Sequence, residues 1–360
     1  MNYRLAKVFA QKSYAADFTE LIDINLSDLV SAFVLNYQGY NTSGSAGATA
    51  HWAKAVTKIE LVDGSNVLFA LDGMELQALM YAHLKRQLAD WLHYLDNNYY
   101  SLNLVIPFGR WLYDADLALD PAKFNNLQLK VTNDMDAGGA APDAAKLTVF
   151  AHCFDQKSAS PVGFLQAKRI KQYTMAASSH EYTDLPMDYR IRKLLIKGLK
   201  AGTEPNQVIQ TVKLSEDNDK RIAFDADFDE LGWLFPDDNL KIVESFYIQN
   251  DGAKNAYYCT PTSKVSAAAV EMTGAADAYF DCIDGDGGRL YVDGSAAKNA
   301  QVIVTGFYPN GVLSIPFGDE WDPGDWFDPS GLKNLRLDLL TSSGSGTGTA
   351  EIILQQLRTY

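Results

Sequence analysis

Three aspartates in the second half of the chain, Asp281, Asp284 and Asp286, lie just before two glycines. Hard cations such as Ca²⁺ bind several carboxylate oxygens that a tight, glycine-rich turn brings together. In an EF-hand the last loop position carries a glutamate that closes the site, but Val292 occupies that position when the loop is counted from Asp281. The pattern therefore favours a solvated turn, and calcium binding by these aspartates is the alternative.

A second candidate is the segment 319–326, in which carboxylates alternate with tryptophans. A glycosidase cleft or a sugar-binding loop places acids beside aromatic rings in this way. The corresponding segment of the first half, however, has a different pair of acids, Asp114 and Asp116. The segment therefore indicates a connecting loop, with a glycan site as the alternative.

The remaining candidates lack a complete chemical pattern. The glycine-rich segment 344–348 has no P-loop lysine and does not begin a helix. The five histidines include no pair at metal-binding spacing, and His83 is expected to be a packed residue. No serine or cysteine lies in a nucleophile elbow. We therefore predict that the protein is not an enzyme and uses no cofactor.

The overall composition is that of a globular protein, with 47% apolar and 21% charged residues among 360. The net charge of −14 argues against direct binding of nucleic acid, which depends on lysine and arginine. Three scattered cysteines predict neither a disulfide framework nor a zinc site. The N-terminus does not resemble a signal peptide, and no apolar run is long enough to span a membrane. These features predict a soluble protein of a reducing compartment.

The elements that would position these residues are organised around one motif that occurs twice. An apolar strand ends in Ile-Pro-Phe-Gly, followed by a tryptophan, an Asp-Pro pair and an Asn-Leu-x-Leu strand, and the second copy lies about 209 residues after the first. Four features kept in register indicate a duplicated unit. The repeated residues are Ile106, Pro107, Phe108, Gly109 and Trp111 in the first copy, and Ile315, Pro316, Phe317, Gly318 and Trp321 in the second.

The motif is explained by architecture alone. Proline donates no amide hydrogen bond, so strand pairing stops there or lies on an edge. The glycine permits a backbone conformation closed to other residues, and the phenylalanine can turn back onto the open end of a sandwich. Asp120 and Asp328 precede prolines, which favour an extended chain leading into the next strand.

Apolar residues elsewhere alternate with a period of two, which predicts about eight short strands in each half. One long amphipathic helix, from Asp72 to Leu95, interrupts the first half and begins with a capping box formed by Asp72 and Glu75. The predicted organisation is an N-terminal arm with helical spacing, a first jelly roll, a connector and a second jelly roll, over residues 1–17, 18–165, 166–188 and 189–360. The predicted strands of the second half are 191–199, 208–214, 242–248, 301–305, 312–315, 335–340 and 352–357.

The all-β pattern, the duplication and the twin turns together resemble the double jelly-roll major capsid proteins of tailless icosahedral viruses, the lineage of tectiviruses and corticoviruses. The resemblance covers most of residues 18–358. The sequence departs from a strict duplication, because the helix beginning at Asp72 has no evident counterpart in the second half. The resemblance implies a homotrimer, in which three copies of two jelly rolls make a pseudo-hexagonal tile.

The same resemblance implies further partners and a location. The partners would be other capsomers, minor capsid or vertex proteins, and an internal membrane near residues 1–17. The protein would occupy the host cytoplasm before assembly and the virion shell afterwards. The competing hypothesis is a glycan-binding or glycan-cleaving protein built on two jelly rolls, for which the segment 319–326 is the main support.

Overall fold

The computed structural model describes residues 3–42, 48–86, 88, 90–139, 144–157, 159–271, 280–294, 297–343 and 348–360. Most of these residues lie in strands, and three α-helices and several short 3₁₀ helices occur among them. The α-helices are α1 (Gly73–Leu84), α2 (Pro205–Val208) and α3 (Phe228–Leu234). The strands are β1 (Tyr3–Tyr14), β2 (Phe18–Asp23), β3 (Val30–Asn41), β4 (Val56–Asp63), β5 (Asn66–Leu71), β6 (His93–Tyr94), β7 (Asn98–Pro107), β8 (Leu127–Asn133), β9 (Ala145–Phe154), β10 (Gly163–Thr174), β11 (His180–Asp184), β12 (Ile191–Leu199), β13 (Ile209–Glu216), β14 (Arg221–Asp227), β15 (Ile242–Asp251), β16 (Asn255–Tyr258), β17 (Pro261–Glu271), β18 (Phe280–Asp284), β19 (Arg289–Gly294), β20 (Ala297–Pro309), β21 (Val312–Pro316), β22 (Leu335–Thr341) and β23 (Thr349–Thr359).

The strand order is the same in the two halves of the chain. In the first half, one sheet has the order β1-β9-β3-β7 and the other the order β2-β8-β4-β5. In the second half, the corresponding orders are β10-β23-β12-β21 and β11-β22-β13-β14. Two four-stranded sheets connected in this way form a jelly roll. The prediction of two consecutive jelly rolls is therefore confirmed.

The two jelly rolls are joined through their sheets. Strand β5, at the edge of the first jelly roll, pairs in parallel with β10 of the second, where Ala70 lies opposite Lys168. This pairing makes one sheet of eight strands. The main hydrophobic cluster also includes residues of both halves, such as Phe33 and Ile353. The halves consequently share a core.

Two segments that the sequence analysis did not assign to strands contain strands in the structure. The N-terminal segment, predicted as an arm with helical spacing, contains β1, which pairs antiparallel with β9 from Tyr3 to Tyr14. Register shifts between Lys7 and Phe9 and between Phe9 and Lys12 interrupt the alternation of side chains, which made the pattern look helical. The predicted connector 166–188 contains most of β10 and all of β11. Several successive residues of β10 are buried, so its sequence does not alternate.

Helix α1 begins as predicted but is shorter. The Asp72 carboxylate accepts a hydrogen bond from the Glu75 amide at 2.8 Å, and Glu75 accepts one from the Asp72 amide at 2.7 Å. The helix ends at Leu84 because Lys85 adopts a left-handed conformation with φ of 51°. The prediction that it continues to Leu95 was wrong, since residues 93 and 94 form β6. Residues on all its faces are buried, so it is not amphipathic.

Insertions explain the burial of α1. Each jelly roll carries an insertion after its fifth strand, between β5 and β7 in the first and between β14 and β21 in the second. The two insertions meet, because β6 pairs in parallel with β15. The second insertion begins with α3, whose Asp227 amide donates to Glu230 at 3.0 Å. Helix α3 occupies the position in the second half that α1 occupies in the first, and the sequence analysis did not identify it.

The cysteines are unpaired in the described residues, where Cys153 and Cys259 are buried and Cys282 is half-buried. None of the helices in the described ranges has the length and apolar character needed to cross a lipid bilayer.

Candidate functional site

The two Ile-Pro-Phe-Gly turns have matching backbone contacts. They end β7 and β21, and the amides of Phe108 and Phe317 each donate a 3.0 Å hydrogen bond, to the carbonyl oxygens of Ser31 and Arg192 respectively. Further on, Asp120 and Asp328 have φ angles of −99° and −101°, and each caps a short 3₁₀ turn that begins with proline. The duplicated sequence therefore forms a duplicated structure.

The turns come together at the junction of the two jelly rolls. The rings of Trp111 and Trp321 lie 5.7 Å apart, and both side chains are roughly half-exposed. Arg110 stacks on Trp111 and donates to the carbonyl oxygen of Trp321. Because one motif comes from each half, this aromatic pair is an exposed feature that neither half could form alone.

The phenylalanines and glycines of the two turns are not equivalent. Phe108 is fully buried against Phe33 and Phe164, whereas Phe317 is half-buried beside Phe327. Gly318 has φ of +69°, a conformation that favours glycine. Gly109, in the other turn, is required because no side chain fits there. A Cβ atom at this position would lie 2.5 Å from the Leu117 carbonyl oxygen.

Three aspartates of the acidic segment 319–326 stabilise their own loop. Asp319 accepts a hydrogen bond from the Trp321 amide at 2.9 Å, and Asp322 accepts one from the Gly324 amide at 2.8 Å. Asp325 accepts one from the amide of Asp319 at 2.7 Å. These contacts support the interpretation as a connecting loop rather than as a glycan site.

The three aspartates considered for calcium do not form a group of close ligands. Asp284 accepts hydrogen bonds from the amides of Gly285 and Asp286, which stabilises the turn, and its carboxylate lies 3.7 Å from Arg289. In the part of the chain that the structure describes, the acids whose ligand atoms lie within 4.8 Å of one another are Asp72, Glu75 and Glu351. Residues 344–347 of the glycine-rich segment lie outside the described residues.

That second acidic group is neutralised by basic side chains. Arg169 lies 3.2 Å from Asp72, and Lys197 lies 2.8 Å from Glu351. Burial lowers the pKa of Lys197, but the charges of Asp72 and Glu351 outweigh this effect, so its pKa lies above the ordinary value. We refer to these residues, with Glu75, as the Lys197 cluster. Its ion pairs connect α1 of the first half with β12 and β23 of the second.

A neighbouring group, which we call the Lys193 cluster, is buried more deeply. It consists of Lys85, Arg192, Lys193, Asp238 and Glu320. Arg192 lies 3.0 Å from Glu320 and also donates to Gln355 and contacts His83, which is packed as predicted. The sequence analysis did not identify this cluster. Its only signal was a pair of adjacent bases, Arg192 and Lys193, in a strand that is otherwise apolar except for Lys197.

Glu244 is a further titratable group of the second insertion. Its carboxylate accepts hydrogen bonds from the Thr260 amide at 2.8 Å and from the Thr260 hydroxyl at 2.7 Å. The same hydroxyl lies 3.2 Å from Nε2 of His51, in the first half. Burial raises the pKa of Glu244 to about 7.

We expect this glutamate to make stability depend on pH. A carboxyl group whose folded-state pKa is raised binds more protons in the folded state, so the free energy of unfolding should fall as the pH rises from about 4.5 to about 7. Glu244→Gln cannot ionise and should lose this contribution, so it should be more stable than the parent protein above neutral pH. Denaturant unfolding on both sides of neutrality measures the difference. An equal pH dependence in both proteins would contradict the prediction.

Two jelly rolls in tandem, joined edge to edge within one chain, define a double jelly roll. The sequence matches no protein-family model and no curated protein. Among solved structures, the chain is similar over 99% of its length to the STIV MCP, with 11% identity, 98% of that chain covered and a TM-score of 0.61. It is similar over 99% to the major capsid protein P2 from bacteriophage PM2, with 13% identity, 98% of that chain and a TM-score of 0.54. It is similar over 99% to PBCV-1 VP54, with 11% identity, 94% of that chain and a TM-score of 0.60. The predicted resemblance to double jelly-roll capsid proteins is thus confirmed for the fold.

Proposed function

We propose that this protein is the major structural protein of an icosahedral virus shell and assembles into homotrimeric capsomers. The observation that carries the proposal is the duplicated strand order, together with similarity to capsid proteins over nearly the whole length of both chains. Three copies of two similar jelly rolls give six similar blocks around one axis. A homotrimer can therefore fill a hexagonal position in a shell.

The proposal assigns a structural role and no enzymatic one. The carboxylates of Asp319, Asp322, Asp325 and Asp284 accept hydrogen bonds from amides of their own loops, which supports this role. The principal partner is the chain itself, first in the trimer and then between capsomers in the virion. Contacts with minor or vertex proteins, and with an internal membrane near the N-terminus, are further predictions from the resemblance.

The oligomeric state tests the proposal. Light scattering of the purified protein should give a mass three times the chain mass of 39.7 kDa across a range of concentrations. Negative-stain electron microscopy should show particles with a pseudo-hexagonal outline. A monodisperse monomer at all concentrations would contradict the capsomer proposal. Binding on a glycan array that Trp321→Ala abolishes would instead favour the glycan-binding hypothesis.

A further inference from the structure

The centre of the Lys193 cluster places an amine and two carboxyl groups in direct contact. The side chains of Lys193 and Asp238 are almost completely buried, and that of Glu320 is 6% exposed. Nζ of Lys193 contacts Oδ2 of Asp238 and lies 2.8 Å from Oε1 of Glu320. Burying an ion pair is costly because both charges lose their hydration. A reaction that removes both charges would remove this cost.

We propose that Lys193 and Asp238 form an intramolecular amide bond, with Glu320 as the residue that transfers the proton. The inference concerns a covalent modification of the chain and does not depend on the proposed capsid function. The bond would connect β12 with the segment that follows α3.

The reaction is a condensation and needs no further reactant. The Lys193 amine, after giving a proton to Glu320, attacks Cγ of Asp238, and a C–N bond forms. Glu320 returns the proton to Oδ2, the C–Oδ2 bond breaks, and Oδ2 leaves as water with the second proton of the amine. An ammonium and a carboxylate together therefore become one amide and one water molecule, and no electron is gained or lost.

The neighbouring groups fit these steps. Nζ of Lys85 lies 3.1 Å from Oδ1 of Asp238, where its positive charge would stabilise the negative charge that develops on this oxygen during attack. The Ser314 hydroxyl donates to Oδ2, the leaving oxygen, at 2.8 Å.

The protonation of the two reacting groups follows from their surroundings. Burial lowers the pKa of Lys193, which increases the fraction of neutral, nucleophilic amine. Burial raises the pKa of Asp238, but the charge of Lys193, the contact with Glu320 and the charge of Lys85 bring it below the ordinary value. Asp238 therefore needs a proton donor at its side, and the contact with Glu320 meets this requirement.

The Lys197 cluster is a built-in comparison. Lys197 and Glu351 are also buried and lie 2.8 Å apart. The pKa of Lys197 is raised rather than lowered, so its amine keeps its proton and is a poor nucleophile. At Lys193, a second carboxyl group lies 2.8 Å from the amine, and Lys85 and Ser314 contact the two oxygens of Asp238. We expect an amide at this site and an ion pair at Lys197.

Mass spectrometry of the denatured full-length protein tests the proposal. The mass should be lower than that calculated from the sequence by one water molecule. Trypsin should not cleave after Lys193, and the digest should contain peptide 193–197 joined to peptide 222–241. Recovery of the two regions as separate, unmodified peptides from folded wild-type protein would overturn the proposal, whatever the variants do.

Variants then test the role of Glu320. Glu320→Gln should show the full calculated mass while remaining folded, as judged by circular dichroism and gel filtration. Lys193→Met should do the same. The matched control is Glu351→Gln, which removes a buried acid from the neighbouring cluster and should retain the loss of one water. If folded Glu320→Gln still contains the linked peptides at the wild-type level, Glu320 is not the proton-transfer residue.

Discussion

Replacing Phe108 with alanine is expected to lower the free energy of unfolding by about 3 to 5 kcal/mol. The side chain is fully buried and makes edge-to-face contacts with Phe33 and Phe164, at ring distances of 5.5 and 6.1 Å. Phe164 belongs to β10, so the cavity would open where the two jelly rolls meet. Equilibrium unfolding in denaturant measures the loss as a shift of the midpoint.

Phe317 is the matched control for this experiment. It occupies the same position in the second copy of the motif but is only half-buried. Phe317→Ala should therefore cost less, about 1 to 2 kcal/mol. Equal losses for the two variants would show that the copies are energetically equivalent. A negligible loss at Phe108 would show that its turn does not close the core.

The second large effect is expected for Asp114→Ala, with a loss of about 3 to 5 kcal/mol. The Asp114 carboxylate is fully buried and receives two hydrogen bonds from the Arg110 guanidinium, at 2.7 and 2.8 Å, and one from the Arg110 amide. In the variant, the Arg110 guanidinium would remain buried and charged but would have lost the carboxylate of Asp114. The same arginine donates to the Trp321 carbonyl oxygen, so the loss should also loosen the contact between the two turns.

Asp116 provides a control that shares the same arginine. Its carboxylate also lies 2.7 Å from Arg110, but the side chain is 72% exposed. Solvent screens such a pair, so Asp116→Ala should cost between 0 and about 1 kcal/mol. Both carboxylates lie 2.7 Å from Arg110, so the two variants differ in burial rather than in distance. Denaturant unfolding of both variants therefore shows whether burial determines the loss of stability. Similar losses would mean that the buried position of Asp114 is not decisive.

Features encoded by neighbouring residues could be predicted from the sequence. The capping box of α1 needs only Asp72 and Glu75, three residues apart, and it forms as expected. The strand 191–199 also has the predicted limits, because its apolar residues lie between polar segments. The twin turns could be found because each combines proline, glycine and an aromatic residue in a fixed order.

Features that depend on distant segments could not be predicted. Helix α1 is buried on all sides because an insertion more than a hundred residues away covers it, and nothing within the helix indicates this. The burial of Lys193 depends on Asp238 and Glu320, which come from two other loops. Strand β1 was missed because its bulges disturb the period of two.

The edge pairing between β5 and β10 limits how the two halves can move. Rotation of one jelly roll against the other would break this pairing, separate β6 from β15 and expose the shared hydrophobic core to water. The angle between the halves is therefore fixed within each molecule. In a shell of the proposed kind, each capsomer would behave as a stiff, flat plate, and the curvature of the shell would have to arise at the seams between capsomers.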